Sequence, residues 1–176
     1  MQYLLILFEL ISCYIKGTCI EQVPFKFEYL FEILLNDVIN LDEISVDTKE
    51  SGLSTRVFAV LLSSLFNQVK ISLDGTAKKR KFDFSSLEEL GVLSSYEDGV
   101  IYLSGKLNSG KIIIRNSDTS QLLTGLLITL PFLKNDSIVV CTNLVSKTYI
   151  DITLDLLEQV GIIINNDSYK TFSGYS

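Results

Sequence analysis

Four short stretches of this 176-residue chain carry residue types that suit the binding of an anion. Thr119, Ser120 and Gln121 stand immediately before the apolar run Leu122 to Leu130, and Ser146, Lys147 and Tyr149 stand before a second apolar helical pattern. Hydroxyls at a helix entrance accept bonds from the unpaired N–H groups of the first turn, which makes them helix caps. The same entrance offers backbone donors and the positive end of the helix dipole to a bound anion. Spacing alone does not separate these two uses. Gly52 and Arg56 lie in Glu50-Ser-Gly-Leu-Ser-Thr-Arg56, where a glycine lets backbone N–H groups approach a ligand closely. Lys78, Lys79, Arg80 and Lys81 are four consecutive cations in an acidic chain: an exposed basic loop, or a source of one guanidinium able to grip a carboxylate or phosphate with two parallel bonds. Two polar helix entrances in one unit suit a single anionic, polyhydroxylated ligand.

Composition removes several other chemistries. Histidine is absent, which excludes histidine metal sites, histidine general bases and Ser-His-Asp or Cys-His nucleophiles. The three cysteines, Cys13, Cys19 and Cys141, form no Cys-x-x-Cys pair, so no metal site is expected and reduced, cytosolic thiols are. A net charge of −6 gives no general field for nucleic acid or for an anionic membrane. The apolar run of residues 3–15 has no Lys or Arg before it, is interrupted by Glu9 and is too short to span a bilayer. It is expected to be a buried helix or strand of a cytoplasmic protein.

The elements that must position these residues follow from periodicity. Residues 4–35 are apolar and mostly helical in pattern, broken around Gly17 and Pro24. Residues 39–46 predict a strand. Apolar residues at 53, 57, 60, 61 and 65 keep helical spacing behind Ser51, a candidate cap. Val69 to Leu73 predicts a strand, Gly75 to Lys81 a basic loop, and Phe82 to Leu90 a helix stopped at Gly91. Val92-Leu93 and Val100 to Leu103 predict paired strands around the turn Glu97-Asp98-Gly99, and Lys111 to Arg115 a further strand. A helix from Gln121 to Leu130, a strand from Ser137 to Cys141, a helix from Ile150 to Val160 and a closing pair, Ile162 to Ile164 with Tyr169 to Phe172, complete the order.

That order is an internal repeat. Ser51 and Ser120 are 69 residues apart, as are Leu53 and Leu122, Thr55 and Thr124, and Val69 and Ile138; Gly91 and Gly161 are 70 apart. The unit reads strand, helix, strand, helix, strand, strand, so the fold class is α/β built from repeated βαβαββ units.

The quoted motifs resemble those of 5-enolpyruvylshikimate-3-phosphate synthases (EPSP synthases). The similarity runs through Glu50-Ser-Gly-Leu-Ser-Thr-Arg56, Lys79-Arg80, Thr119-Ser-Gln-Leu-Leu-Thr124 and Ser146-Lys-Thr-Tyr-Ile-Asp-Ile-Thr-Leu154, in order, over roughly residues 47 to 172. The resemblance implies one lobe of that fold, with helices inward and sheets outward. It implies a divergent or truncated segment, 1–46, before a lobe, 47–176, of two units at about 47–108 and 109–176. It implies transfer of the enolpyruvyl group of phosphoenolpyruvate to the 5-hydroxyl of shikimate-3-phosphate, in aromatic amino-acid biosynthesis, with no cofactor. By the same resemblance Thr119, Ser120, Gln121, Ser146 and Tyr149 bind shikimate-3-phosphate; Gly52, Arg80 and Gln121 bind phosphoenolpyruvate; and Arg56 supports that site. The chain departs from the family at Thr119, in place of serine, and at Lys81 and Thr148, in place of proline. The family's catalytic Asp and Glu belong to a second lobe, so no catalytic residue is expected here and the isolated chain is expected to be inactive alone. Partners would be the two substrates and either the missing lobe or a second copy docking on an exposed apolar face. A non-catalytic lobe binding a phosphorylated ligand or a partner chain is the alternative, and a UDP-N-acetylglucosamine enolpyruvyl transferase a further one.

Overall fold

The computed structural model describes residues 42–115, 120–159 and 161–174. The apolar pattern of 4–35, the thiols Cys13 and Cys19, and Thr119 lie outside the described residues. Strand β1 is Glu43–Asp47, and its exposed–buried alternation turns Ile44 and Val46 inward. It therefore straddles the expected division at 46/47, because the strand that opens the first unit is needed to pair with the next one. Helix α1, Gly52–Leu65, follows. The Ser51 hydroxyl caps it, accepting from the Ser54 N–H at 3.1 Å. Strand β2, Gln68–Ser72, runs parallel to β1 with Ile44 opposite Val69.

Two 3₁₀ turns come next, Gly75–Lys79 and Ser85–Leu90. The second replaces the longer helix predicted from Phe82. The Asp83 carboxylate accepts from both the N–H and the hydroxyl of Ser85, at 3.0 and 2.7 Å, a local turn that competes with a helix start. The remaining stretch is too short to repay helix nucleation. Its end is as expected: Gly91 is left-handed, φ +92°, and the Gly91 and Val92 N–H groups donate back to Glu88 and Leu87. Strands β3, Leu93–Glu97, and β4, Val100–Ser104, form a hairpin whose two-residue turn, Asp98-Gly99, has positive φ at both positions.

The second half repeats this order: β5 (Lys111–Ile114), α2 (Ser120–Thr129), β6 (Ser137–Cys141), α3 (Lys147–Gln159), β7 (Ile164–Asp167) and β8 (Thr171–Gly174). The two four-stranded sheets share one topology, β1-β2-β4-β3 and β5-β6-β8-β7, each with one parallel and two antiparallel pairings. One correction concerns register. The partner of Ile112 in β6 is Val139, as the partner of Ile44 in β2 is Val69, so Val69 corresponds to Val139 and not to Ile138. Side chains alternate along a strand, and a slip of one residue exchanges the faces; Val139 is buried whereas Ile138 is 41% exposed.

Helices α1 and α2 are apolar almost all round and are buried, as such helices must be. Helix α3 buries only Ile150, Thr153 and Leu157 and leaves Tyr149 and Ile152 exposed. Gly52 and Arg56 of α1 lie beside Gln121 of α2, and Val57 and Val60 beside Gly125, so the two helices run side by side in the same direction. Gly125 permits this: a Cβ there would sit 3.2 Å from the Val57 Cα and 3.3 Å from the Arg56 carbonyl oxygen. Side chains such as Phe58, Leu61, Leu122 and Leu123 fill one continuous core, each contributing roughly 1.5–3 kcal/mol by burial. Among the described residues no helix is long and apolar enough to cross a membrane.

Candidate functional site

The parallel arrangement of α1 and α2 brings their entrances together, and four residues singled out in the sequence meet there. A Cβ on Gly52 would lie 3.0 Å from an Arg56 terminal nitrogen, 3.3 Å from an Arg80 terminal nitrogen and 3.7 Å from the Gln121 side-chain oxygen. The missing side chain thus lets two guanidinium groups and a carboxamide close in on the buried Gly52 backbone. Arg56 is anchored. Its Nη1 donates to the Gly52 carbonyl at 3.1 Å and to the Gln121 Oε1 at 3.0 Å, and its guanidinium carbon stands 4.7 Å from the centre of the Phe82 ring. That cation–π contact adds to the hold on the guanidinium.

Arg80 arrives from the other direction, just past the 3₁₀ turn Gly75–Lys79, and is exposed. Its Nη1 donates to the Glu50 carbonyl and its Nη2 to the Thr76 hydroxyl, both at 3.4 Å. These long bonds use only part of the donor fork of a guanidinium, which keeps further N–H groups for a ligand. The Glu50 carboxylate accepts from the Thr76 hydroxyl at 2.7 Å and from the Thr76 N–H at 3.3 Å. The Thr76 bonds hold this carboxyl below the usual glutamate range, with the Arg80 charge adding to the effect.

Ser120, half-buried, is the first residue of α2, directly before Gln121. The second predicted entrance, at Ser146 and Tyr149, is the start of α3. Ser146 is half-buried immediately before that helix, and Tyr149 is 50% exposed on its first turn. The spacing predicts this helix from Ile150; it starts at Lys147, which brings Tyr149 inside the first turn. Helix α3 reaches α2 through the Thr124 and Thr153 hydroxyls, 3.4 Å apart, both within the first two turns of their helices. Val145 and Lys147, on either side of Ser146, line an open polar cleft of about 490 Å³, to which the β7–β8 turn adds Ser168, Tyr169 and Lys170. The Lys147 ammonium lies 4.7 Å from the centre of the Tyr169 ring, and the Tyr169 hydroxyl donates to the Asp151 carboxylate at 2.6 Å. That bond to a carboxylate raises the Tyr169 pKa.

Gly52, Arg56, Arg80 and Gln121 therefore form one cluster; Ser120 adjoins it, and Ser146 and Tyr149 stand at the neighbouring helix entrance. Glu50, quoted in its motif without a role, joins the site together with Thr76 and Phe82, neither of which had a role assigned from sequence. Glu50 and Thr76 flank glycines, Thr76 next to Gly75 and Glu50 two residues before Gly52, and this was the available signal.

A two-guanidinium cradle at a helix entrance suits a ligand bearing carboxylate or phosphate. Comparison with known proteins shows what the chain is similar to. The family model for EPSP synthase (3-phosphoshikimate 1-carboxyvinyltransferase) matches residues 33–174. The 3-phosphoshikimate 1-carboxyvinyltransferase of Clostridium beijerinckii is 39% identical over 137 residues, covering 74% of this chain and 31% of that protein. That of Clostridium acetobutylicum is 30% identical over 174 residues, covering 90% of this chain and 40% of that protein. The chain thus spans between 31% and 40% of the length of these two curated relatives. A solved structure of EPSP synthase from Acinetobacter baumannii aligns with a TM-score of 0.59 at 16% identity, over 74% of this chain and 30% of that one, a likeness of fold.

Proposed function

The chain belongs to the EPSP synthase family, and from that premise we propose that it supplies half of an enolpyruvyl-transfer site. Its substrates would be shikimate-3-phosphate and phosphoenolpyruvate, and the product would carry the enolpyruvyl group on the shikimate 5-hydroxyl. Thr119, Ser120, Gln121, Ser146 and Tyr149 hold shikimate-3-phosphate, with the phosphate on the hydroxyls at the entrances of α2 and α3. Arg80 and the Gly52 backbone hold phosphoenolpyruvate, Gln121 borders both substrates, and Arg56 fixes Gln121. The observation that carries this reading is the meeting of Arg56, Arg80 and Gln121 around Gly52: Arg56 is hydrogen-bonded to both Gly52 and Gln121, and terminal nitrogens of Arg56 and Arg80 and the Gln121 side-chain oxygen all lie within 4 Å of where a Gly52 Cβ would be.

The division of labour follows from chemistry. Protonating phosphoenolpyruvate and expelling phosphate from a tetrahedral intermediate needs an acid–base group at the reacting carbon and cations around the departing phosphate. This chain supplies cations and helix entrances. The acid–base carboxylates and the remaining cations belong to a second lobe, whether joined to this one or separate. Residues 47–108 and 109–176 act as the two repeat units of the present lobe, the first extended back to include β1. The isolated lobe binds and does not turn over.

Calorimetric titration of the purified chain with shikimate-3-phosphate tests this. Saturable binding that weakens in both Ser120→Ala and Ser146→Ala supports a retained half-site. A folded chain that binds neither shikimate-3-phosphate nor phosphoenolpyruvate would remove the reading and leave a non-catalytic lobe.

A further inference from the structure

Arg80 presents a physical problem. It is an exposed side chain with many rotamers, on a stretch, residues 80–84, that belongs to neither helix nor strand. Yet one terminal nitrogen sits 3.3 Å from where a Gly52 Cβ would be. Something must hold it there, since a freely rotating guanidinium spends little time in any one place.

The Glu50–Thr76 pair is built for that task. The Thr76 hydroxyl donates its single proton to the Glu50 carboxylate at 2.7 Å, which turns its lone pairs outward, and one of them accepts from Arg80 Nη2 at 3.4 Å. The Glu50 backbone carbonyl takes the other end of the guanidinium, from Nη1 at 3.4 Å. The Thr76 N–H adds a second bond to the carboxylate. Gly75 makes room for it: φ there is +50°, and a Cβ would fall 2.0 Å from the Glu50 Oε1. Glycine at this position is thus required twice, by the left-handed backbone and by the carboxylate packed on it. The contact joins segments 26 residues apart, the entrance of α1 and the loop after β2.

We propose that Glu50 and Thr76 are positioning residues, a carboxylate–hydroxyl–guanidinium relay that holds Arg80 over Gly52. The relay deepens the reading of Arg80 as a phosphoenolpyruvate ligand and rests on that reading for its purpose, though not for its existence. A neutral hydroxyl between the charges orients the arginine without a direct ion pair, so the guanidinium keeps N–H donors for an incoming anion. A direct carboxylate–arginine bridge would occupy the donors the ligand needs.

The experiment uses the full chain and two readouts. The first is ¹⁵N relaxation at the Arg80 Nε–H, which reports ordering of the side chain with no ligand present. Ordered behaviour in the wild type, its loss in Thr76→Val and Glu50→Ala, and its return in Thr76→Ser are expected. Thr76 is exposed, and Thr76→Val keeps the shape while removing the hydroxyl, so amide spectra should remain those of the folded chain; Gly75→Ala, which displaces the Glu50 carboxylate, is the independent second variant. Arg80 equally ordered in all of these variants overturns the relay. The second readout is titration with phosphoenolpyruvate in the presence of shikimate-3-phosphate. Affinity should fall about fivefold to tenfold in Thr76→Val, the loss of one charge-assisted hydrogen bond of modest geometry, and recover in Thr76→Ser. Ordering that depends on Thr76, combined with an Arg80 resonance indifferent to phosphoenolpyruvate, would uphold the relay and overturn the assignment of Arg80 to that substrate.

Discussion

Arg56 and Gln121, 65 residues apart in the chain, are joined by a 3.0 Å hydrogen bond between the start of the second turn of α1 and the first turn of α2. The same guanidinium nitrogen holds the Gly52 carbonyl, so one side chain ties together the entrances of two parallel helices from different repeat units. Hydrogen bonds to a charged donor contribute about 1.5–3 kcal/mol when well buried; with both residues half-buried, Gln121→Ala should cost about 1–2 kcal/mol in urea unfolding. Arg56→Ala and Gln121→Ala together should cost less than their sum, since they share this contact. Arg56→Lys should not rescue, because an ammonium lacks the planar fork that bonds Gly52 and Gln121 while lying over Phe82.

The close approach of α1 and α2 makes a second prediction. Gly125→Val places a branched side chain against the Val57 Cα and the Arg56 carbonyl, backbone atoms that cannot swing away. Its cost should lie near the upper end of the roughly 1–3 kcal/mol typical of overpacking. Gly161→Ala is the control. No atom lies within 4 Å of a Cβ there, so only the left-handed backbone, φ +85°, opposes it, at about 1 kcal/mol. The two urea midpoints should separate accordingly.

Acid should loosen the join between the two units. The Glu89 carboxylate accepts from Arg115 at 2.8 Å and from the Ile113 N–H at 2.9 Å, reaching from the 3₁₀ turn of the first unit to edge strand β5 of the second. Its hydrogen bond with Arg115 lowers its pKa below the usual 4.5. A carboxyl lowered on folding contributes stability above its unfolded pKa and loses that contribution as pH falls through the folded value. Stability of the wild type measured downward from about pH 5 should therefore fall more steeply than that of Glu89→Gln.

Burial pushes the Cys141 thiol up to about 11, so it is protonated at neutral pH. Alkylation followed by mass spectrometry should find Cys141 unmodified in the native chain near pH 8 and modified once urea is added. Because the folded pKa lies above the unfolded one, near 9, this thiol favours the fold at lower pH, and the contribution is lost as pH rises toward 11.

Much of the architecture was readable because it is written twice. Ser51 and Ser120, and Thr55 and Thr124, recur at one spacing, and both threonines are fully buried one turn into their helices. The glycine that ends the 3₁₀ turn and the Asp98-Gly99 hairpin turn were readable for a different reason: positive φ restricts the residue types that can occupy such positions. The short 3₁₀ turn at Ser85 was not, since a run of apolar spacing does not reveal that Asp83 will claim the N–H and the hydroxyl of Ser85. Nor was the register of β6, where Ile138 and Val139 are equally suited to the core until a partner strand selects one face.

The site divides along the same line. The residue types that can hold an anion, Gly52, Arg56, Arg80, Ser120, Gln121, Ser146 and Tyr149, together with the repeat that sets their order, were determined by the sequence itself, because helix entrances and cations are local properties. That Arg56 reaches Gln121, that Arg80 hangs above Gly52, and that Glu50 and Thr76 hold it there were decided only by tertiary structure. Each of these relations depends on two helices packing in parallel at a distance that Gly125 permits, or on a loop folding back across the entrance of α1. Distances between segments 26 and 65 residues apart arise from packing, and no local pattern encodes them.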